Sequence, residues 1–353
     1  MSSHPPPLIP RLLSLLFLLL PLFSLTLAAK VRPNAADPSI IKVNNTFYSA
    51  ESDGGAIWVR ESTTLAGLGA PNVRRQRVWS DTANHGDVWA PEITTDLGRT
   101  YIHFSAGRDA AHRMYVISAD APLAPYSRET KLMLPGDQWA IDGIFFVYEG
   151  QGWFVWSGWE SEARNQEQTL YICRMDSPSE PVGERHVISQ PREPWEQGDN
   201  PRINEGPEAI VDPDGQLHIV YSANGSWDNK YCLADLRLKR GGDPRNVWDW
   251  YKSNGCLFGS HQDRMMEGWD ATLAVDGPGH HTFALVDGEV HKSPGGKEHI
   301  EFMFHAVDKG TPYRWENRGW YAGSFVWWGA TTYRRANVPG ENSNTGYSFK
   351  FFE

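Results

Sequence analysis

Apolar and polar residues alternate along short runs separated by turn-forming residues, the period of half-buried strands rather than of helices. One pattern recurs: an alternating apolar run, a turn, then a run ending in an aromatic residue followed by small residues. It reads IIKVNNTFYSAES from Ile40, EITTDLGRTYIHFSAG from Glu92, IFFVYEGQGWFVWSGW from Ile144 and AIVDPDGQLHIVYSANG from Ala209. A looser fifth copy runs from TFALVDG at Thr282 to FMFHAV at Phe302. The turns centre near Asn45, Gly98, Gln151, Gly215 and Gly295, so successive centres stand 53, 53, 64 and 80 residues apart. After each of the first four hairpins comes a further strand-like run, at Ile57-Trp58-Val59, Met114-Tyr115-Val116, Leu170-Tyr171-Ile172 and Tyr231-Cys232-Leu233. A loose period of this kind suits blades with loops of varied length better than a solenoid.

Units of three to four antiparallel strands, repeated five times without helical periodicity between them, predict an all-β fold, a five-bladed β-propeller. The competing arrangement is a β-sandwich followed by a second all-β domain. No Pro/Gly/Ser-rich linker separates two such parts, so residues 30–353 are expected to form a single domain. The 16 Trp, 13 Tyr and 15 Phe, beside 33 Gly and 24 Pro, agree with many short strands and tight turns.

The formal charge of -10 leaves no electrostatic footprint for nucleic acid or an anionic membrane and points to a neutral partner. Residues 1–29 read as a signal peptide: Arg11 precedes a Leu-rich run from Leu12 to Leu27, and small residues follow at Ala28 and Ala29. Pro21 and several hydroxyl residues argue against a retained anchor, so the mature chain is expected to start near Lys30, secreted and free of the membrane, as a monomer. Two sequons, at Asn44 and Asn224, fit a secretory route. Cys173, Cys232 and Cys256 are too few for a disulfide scaffold; Cys232 and Cys256 could close one bridge, leaving Cys173 as a buried thiol.

The candidate chemistry lies just before each hairpin's first strand, at Asp37, the Trp89 to Glu92 segment, Asp142, Glu205 and His280. Asp37, Asp142 and Glu205 stand 8, 9 and 10 positions before their turns. In a propeller the first strand of each blade lines the channel, so three carboxylates from three blades should converge at one end of the axis. Any one of them could instead bond its own turn backbone. Together they repel, and such clusters persist where chemistry needs their pKa values pushed apart. Glycoside hydrolysis needs this: one carboxyl protonates the leaving oxygen while another activates water on the opposite face of the sugar.

The strings Ala36-Asp37-Pro38, Trp89-Ala90-Pro91-Glu92, Ile141-Asp142-Gly143, Asn204-Glu205-Gly206-Pro207 and Gly277-Pro278-Gly279-His280 together resemble glycoside hydrolase family 43, in the family's order. The stretches AHRMYV, FVWSGW, YSANGSW and YCLADL resemble its exo-acting α-L-arabinofuranosidases. The resemblance implies a general base at Asp37, a general acid at Glu205, and Asp142 raising the pKa of the acid. It implies inversion, with the two carboxyls about 6.5–9.5 Å apart to admit a water. It further implies no organic cofactor, a calcium or other cation near His280, and arabinan, arabinoxylan or arabino-oligosaccharide as substrate. His280 could equally be a hydrogen-bonded core residue, and Trp89 and Trp159 could pack between blades rather than against the sugar.

Segment 306–353 departs from the family pattern. Only Arg335-Ala336 echoes it, so a substrate contact is assigned to Arg335 and irregular closure of the last unit is expected. A sugar-binding propeller without activity would lack one or more of the three carboxylates, all of which are present here. An endo-arabinanase or a β-xylosidase on the same scaffold is the alternative enzyme, since loop shape decides pentose specificity.

Overall fold

In the computed structural model, which describes residues 1, 29–285, 298–335 and 343–353, the alternating runs become antiparallel strands linked by tight turns. The first unit contains β2 (Ser39–Val43), β3 (Thr46–Ser52), β4 (Ala56–Ser62) and β5 (Arg74–Ser80), following β1 (Ala29–Pro33). The second contains β6 (Trp89–Asp96), β7 (Arg99–Ala106), β8 (Arg113–Ala119) and β9 (Thr130–Lys131). The third has β10 (Ala140–Tyr148), β11 (Gln151–Gly158), β12 (Glu167–Ser177) and β13 (Glu180–Ser189). The fourth has β14 (Arg202–Val211), β15 (Leu217–Ala223), β16 (Cys232–Leu238) and β17 (Trp250–Lys252). The last has β18 (Val275–Phe283), β19 (Ile300–Asp308), β20 (Gly319–Arg334) and β21 (Ser343–Phe352). Helix among the described residues is confined to short 3-10 turns, so the fold is all-β as expected.

Within each unit the strands pair in chain order. The Leu97-Gly98 and Glu149-Gly150 turns hold both residues at positive φ, which matches the twist of a two-residue hairpin. The third turn thus precedes Gln151, which already belongs to β11. The expected turn near Gly295 lies outside the described residues.

The first strands abut one another in sequence order, β2 with β6, β6 with β10, β10 with β14 and β14 with β18, and β18 abuts β2. The hydrophobic core follows the same arrangement. One buried cluster joins the first two units through Ile57, Val59, Ile102 and Phe104; another joins the second and third through Met114, Val116, Phe154 and Trp156. Further clusters bridge the third and fourth units and the fourth and fifth. A smaller cluster, with Ile40, Phe47, Met303 and Trp320, joins the last unit to the first. Each sheet therefore buries its apolar faces against its neighbours, because one sheet alone cannot.

Within the segment expected to be irregular, residues 319–334 and 343–352 form β20 and β21. The long β20 pairs with β19 on one edge and, along the other, first with β1 and then with β21. The strands β1 and β21, near the two ends of the described residues, are thereby hydrogen-bonded into one sheet. Trp269 and Arg237 lock β21 from outside: Trp269 donates its indole N–H to the Phe349 carbonyl at 2.9 Å, and Arg237 donates to the carbonyls of Tyr347 and Asn344. Cys232 and Cys256 are bonded to each other, and Cys173 is a buried free thiol whose pKa burial pushes up to about 12. No helix among the described residues is long and apolar enough to cross a membrane. Of the segment 1–29 expected to be a signal peptide, residues 2–28 lie outside the described residues.

Candidate active site

One local device recurs at the start of the first strands. In β6, β10, β14 and β18 the strand register shifts between Trp89 and Glu92, Ile141 and Ile144, Glu205 and Glu208, and Gly279 and Thr282. Each shift contains one residue at positive φ: Ala90, Asp142, Gly206 and His280, at 41°, 55°, 53° and 43°. Asp37, two residues before β2, adopts 49°. A bulge of this kind bends the strand and re-aims a side chain. The strings WAPE, IDG, NEGP and GPGH are thus the sequence trace of four bulges, and they turn acidic and imidazole side chains toward one point.

That point is a cavity of about 270 Å³ lined by Asp37, Asp142, Glu205, His280 and Trp89. The structure brings together five of the seven residues singled out from the sequence. His280 is the hub. Its Nδ1 lies 3.3 Å from Asp37 Oδ1 and 3.9 Å from Asp142 Oδ2, and its Nε2 lies 3.2 Å from Glu92 Oε1. Although burial opposes a charge on the ring, the carboxylates of Asp37, Asp142 and Glu92 raise its pKa to about 10, so His280 is an imidazolium.

The three carboxyls respond to different surroundings. Burial would raise the pKa of Asp37, but the His280 charge, His305 Nδ1 at 3.0 Å and the Arg318 guanidinium at 3.8 Å hold it well below the usual carboxylate range. Glu205 shows the reverse. Burial first, and then the charge of Asp142, push it up to about 8, although His280 and the Tyr231 hydroxyl oppose the rise. Asp142 is raised to about 6, chiefly by burial and the charge of Asp37, while it accepts a hydrogen bond from the Gly206 N–H at 3.0 Å. At neutral pH the cavity therefore holds a carboxylate at Asp37 and a carboxylic acid at Glu205.

Glu205 is positioned from several sides. Tyr231 donates to its Oε1, and Tyr231 can lie there because a Cβ on Gly279 would stand 2.1 Å from the tyrosine ring. The preceding residue, Asn204, is fully buried. Its side chain accepts from Ser189 and donates to Glu196, and its carbonyl accepts from Ser157. Glu196 in turn is paired at 2.8 Å with the buried Lys252.

Trp89, 41% exposed, presents one face to the cavity and stacks on His112 with ring centroids 4.0 Å apart. Trp159 does not line the cavity. It stacks behind Trp139, which does, at 4.6 Å and nearly parallel, so the aromatic wall expected from Trp159 is supplied one layer forward. Arg335 also lies elsewhere: it donates to the Tyr251 hydroxyl at the far end of β20. The arginine in the cavity is Arg318, in the short segment before β20, and beside it stand Trp315 and Trp227. Those residues lie in connections between strands, Trp315 and Arg318 in the segment that departs from the family pattern. Their mark in the sequence is Trp in polar loops, where an indole has no core to fill.

The surroundings of His280 bear on direct coordination of a cation by its ring. Both ring nitrogens already face carboxylates, and among the described residues no cluster of three or more His, Cys, Asp or Glu is disposed to hold a metal ion. The residues do not fit direct coordination there. One sequon fails in the same concrete way: Asn224 is fully buried, with its side-chain N–H donating to the carbonyls of Trp195 and Lys230, whereas Asn44 sits exposed on the β2–β3 turn.

A set of carboxyls held in opposite protonation states at the starts of the first strands, Asp142 and Glu205 buried and Asp37 half-buried, is the site of a glycoside hydrolase. Residues 31–327 match the model of glycosyl hydrolases family 43, and the chain belongs to that family. It is 29% identical over 277 residues to the extracellular exo-α-(1→5)-L-arabinofuranosidase of Streptomyces avermitilis, covering 75% of this chain and 54% of that protein. It is 27% identical to α-L-arabinofuranosidase 43 of Humicola insolens, covering 71% and 52%. The chain thus spans about half the length of these curated relatives. Among solved structures, an α-L-arabinofuranosidase from Lactobacillus brevis shares the fold with a TM-score of 0.71 and 24% identity, over 85% of this chain and 93% of the other.

Proposed function

We propose that the protein is an exo-acting, inverting α-L-arabinofuranosidase that releases terminal L-arabinofuranose from α-1,5-linked arabinan or arabino-oligosaccharides. The observation that carries this reading is the opposite displacement of two carboxyls in one cavity, Asp37 held ionised and Glu205 held protonated up to about pH 8. Glu205 gives its proton to the glycosidic oxygen as the bond to the anomeric carbon breaks. Asp37 takes a proton from a water, whose oxygen bonds to that carbon from the opposite face. Asp142 keeps the acid protonated through its negative charge and holds the Gly206 bulge. No step is routed through an organic cofactor or a cation.

Exo action is supported by the small cavity, which lies just under the roughly 300–1,000 Å³ of clefts for larger ligands. It is also supported by the name of the Streptomyces avermitilis relative, an exo-α-(1→5)-L-arabinofuranosidase. A five-bladed propeller is the architecture that best accounts for five four-stranded units whose first strands abut in cyclic order and whose core is divided into five inter-unit clusters. Secretion after loss of the leader at 1–29 is supported by relatives named as extracellular.

The test is to incubate the mature protein with linear arabino-oligosaccharides and follow the products by proton NMR. Free arabinose that appears first as the β-anomer is the expected outcome. Internal cleavage would make the protein an endo-arabinanase, and release of the α-anomer would exclude inversion.

A further inference from the structure

A second groove opens beside the catalytic cavity, and β12 is the wall between them. Gln168 of that strand lines the cavity, whereas its neighbours Glu167 and Thr169 line the groove, as strand alternation requires. The groove has a volume of about 680 Å³. Four arginines face it, Arg164, Arg185, Arg192 and Arg202, against the two carboxylates Glu160 and Glu167. In a chain of formal charge -10 this is a local positive excess.

The arginines are not all spent on neighbours. Arg185 is: it donates to the carbonyls of Trp159 and Glu160 at 2.9 and 2.7 Å and lies over the Tyr171 ring, which makes it part of the floor. Arg192 and Arg202 differ, because both converge on the same carboxylate oxygen of Glu167, at 2.7 and 3.3 Å, and remain 41% and 38% exposed. Each guanidinium carries five N–H donors, so one shared oxygen leaves most of both forks open to the groove. A planar fork matches a carboxylate with two parallel hydrogen bonds and is less strongly hydrated than an ammonium. The groove also shares a rigid wall with the catalytic cavity, since the Trp159 whose carbonyl anchors Arg185 stacks on the cavity residue Trp139.

We propose that this groove binds a carboxylated saccharide, a uronate-bearing stretch of polysaccharide, through Arg192 and Arg202. Its position beside the cavity would let one polymer present a neutral terminal sugar to Glu205 and an acidic stretch to the arginines. That coupling rests on the arabinofuranosidase reading; the anion site itself does not.

The experiment is isothermal titration of the full mature protein with a short oligogalacturonate, at low and at physiological salt, for the wild type and for R192A/R202A. The wild type is expected to bind, more weakly as salt rises, and the double variant to lose about tenfold or more in affinity, the scale of hydrogen bonds to a charged group. Hydrolysis of neutral arabino-oligosaccharides is expected to stay unchanged in the variant. Absence of binding by the wild type, equal affinity in both proteins, or equal affinity for the methyl-esterified oligomer would overturn the proposal. If the alanine pair does not fold, R192K/R202K carries the test, since it keeps the charge and loses the forks and must bind more weakly than the wild type. Because binding is read directly, a failure of the arabinofuranosidase reading would leave this result interpretable.

Discussion

Tyr231 donates its hydroxyl hydrogen to Glu205 Oε1 across 2.9 Å, and the ring that carries this hydroxyl lies parallel to His305, which itself touches Asp37. One stacked pair therefore links the group held protonated to the group held ionised. The two halves of an acid–base pair are set by a common support rather than by two independent pockets.

Glu205→Gln is expected to lower kcat on oligosaccharides by about 10²–10⁴, the usual contribution of a positioned general acid. An aryl arabinofuranoside, whose leaving group needs little protonation, should lose much less. Asp37→Asn should slow both substrates alike, since activation of water is needed for each. Steady-state kinetics on the two substrates separates the roles, and equal losses in both variants on both substrates would contradict the assignment.

The pH dependence follows from the signs of the shifts. Glu205 is raised from 4.5 to about 8, so the active protonated form persists below that pH and kcat/KM should fall as pH rises through it. Asp142→Asn removes a charge that favours the protonated form, and the basic limb should move to lower pH. Tyr231→Phe removes a donor that favours the ionised form, and the limb should move to higher pH. Shifts of the two variants in the same direction would show that the limb belongs to another group.

Lys252→Ala would leave the buried Glu196 carboxylate without its cation beneath Asn204. The expected loss is about 3–5 kcal/mol, the range for breaking a buried ion pair from one side, read by denaturant unfolding. A change below about 1 kcal/mol would show that the fold does not depend on this ion pair.

Glycosylation distinguishes the two sequons. Expressed through a secretory pathway, the protein should carry one glycan, lost in Asn44→Gln and unaffected in a variant of Ser226 that removes only the second sequon. Enzymatic deglycosylation followed by mass spectrometry reads the number, and a glycan on Asn224 would mean that this side chain is exposed before the β15–β16 loop closes over it.

The sequence by itself determined the strands, since period-two alternation and Gly-containing turns are local signals, and it marked the bulges through the strings around Ala90, Asp142, Gly206 and His280. Similar offsets from successive turns, 8, 9 and 10 positions, were enough to bring Asp37, Asp142 and Glu205 together. What only the tertiary structure decided lies in the loops and in electrostatics. Arg318, Trp315 and Trp227 reach the cavity from connections whose course no periodicity encodes, and Trp159 and Arg335 were displaced from it by Trp139 and by the length of β20. The resemblance implied opposite roles for Asp37 and Glu205, but their physical cause lay in the tertiary structure: His280, His305 and Arg318 crowd one carboxyl while burial and Asp142 act on the other.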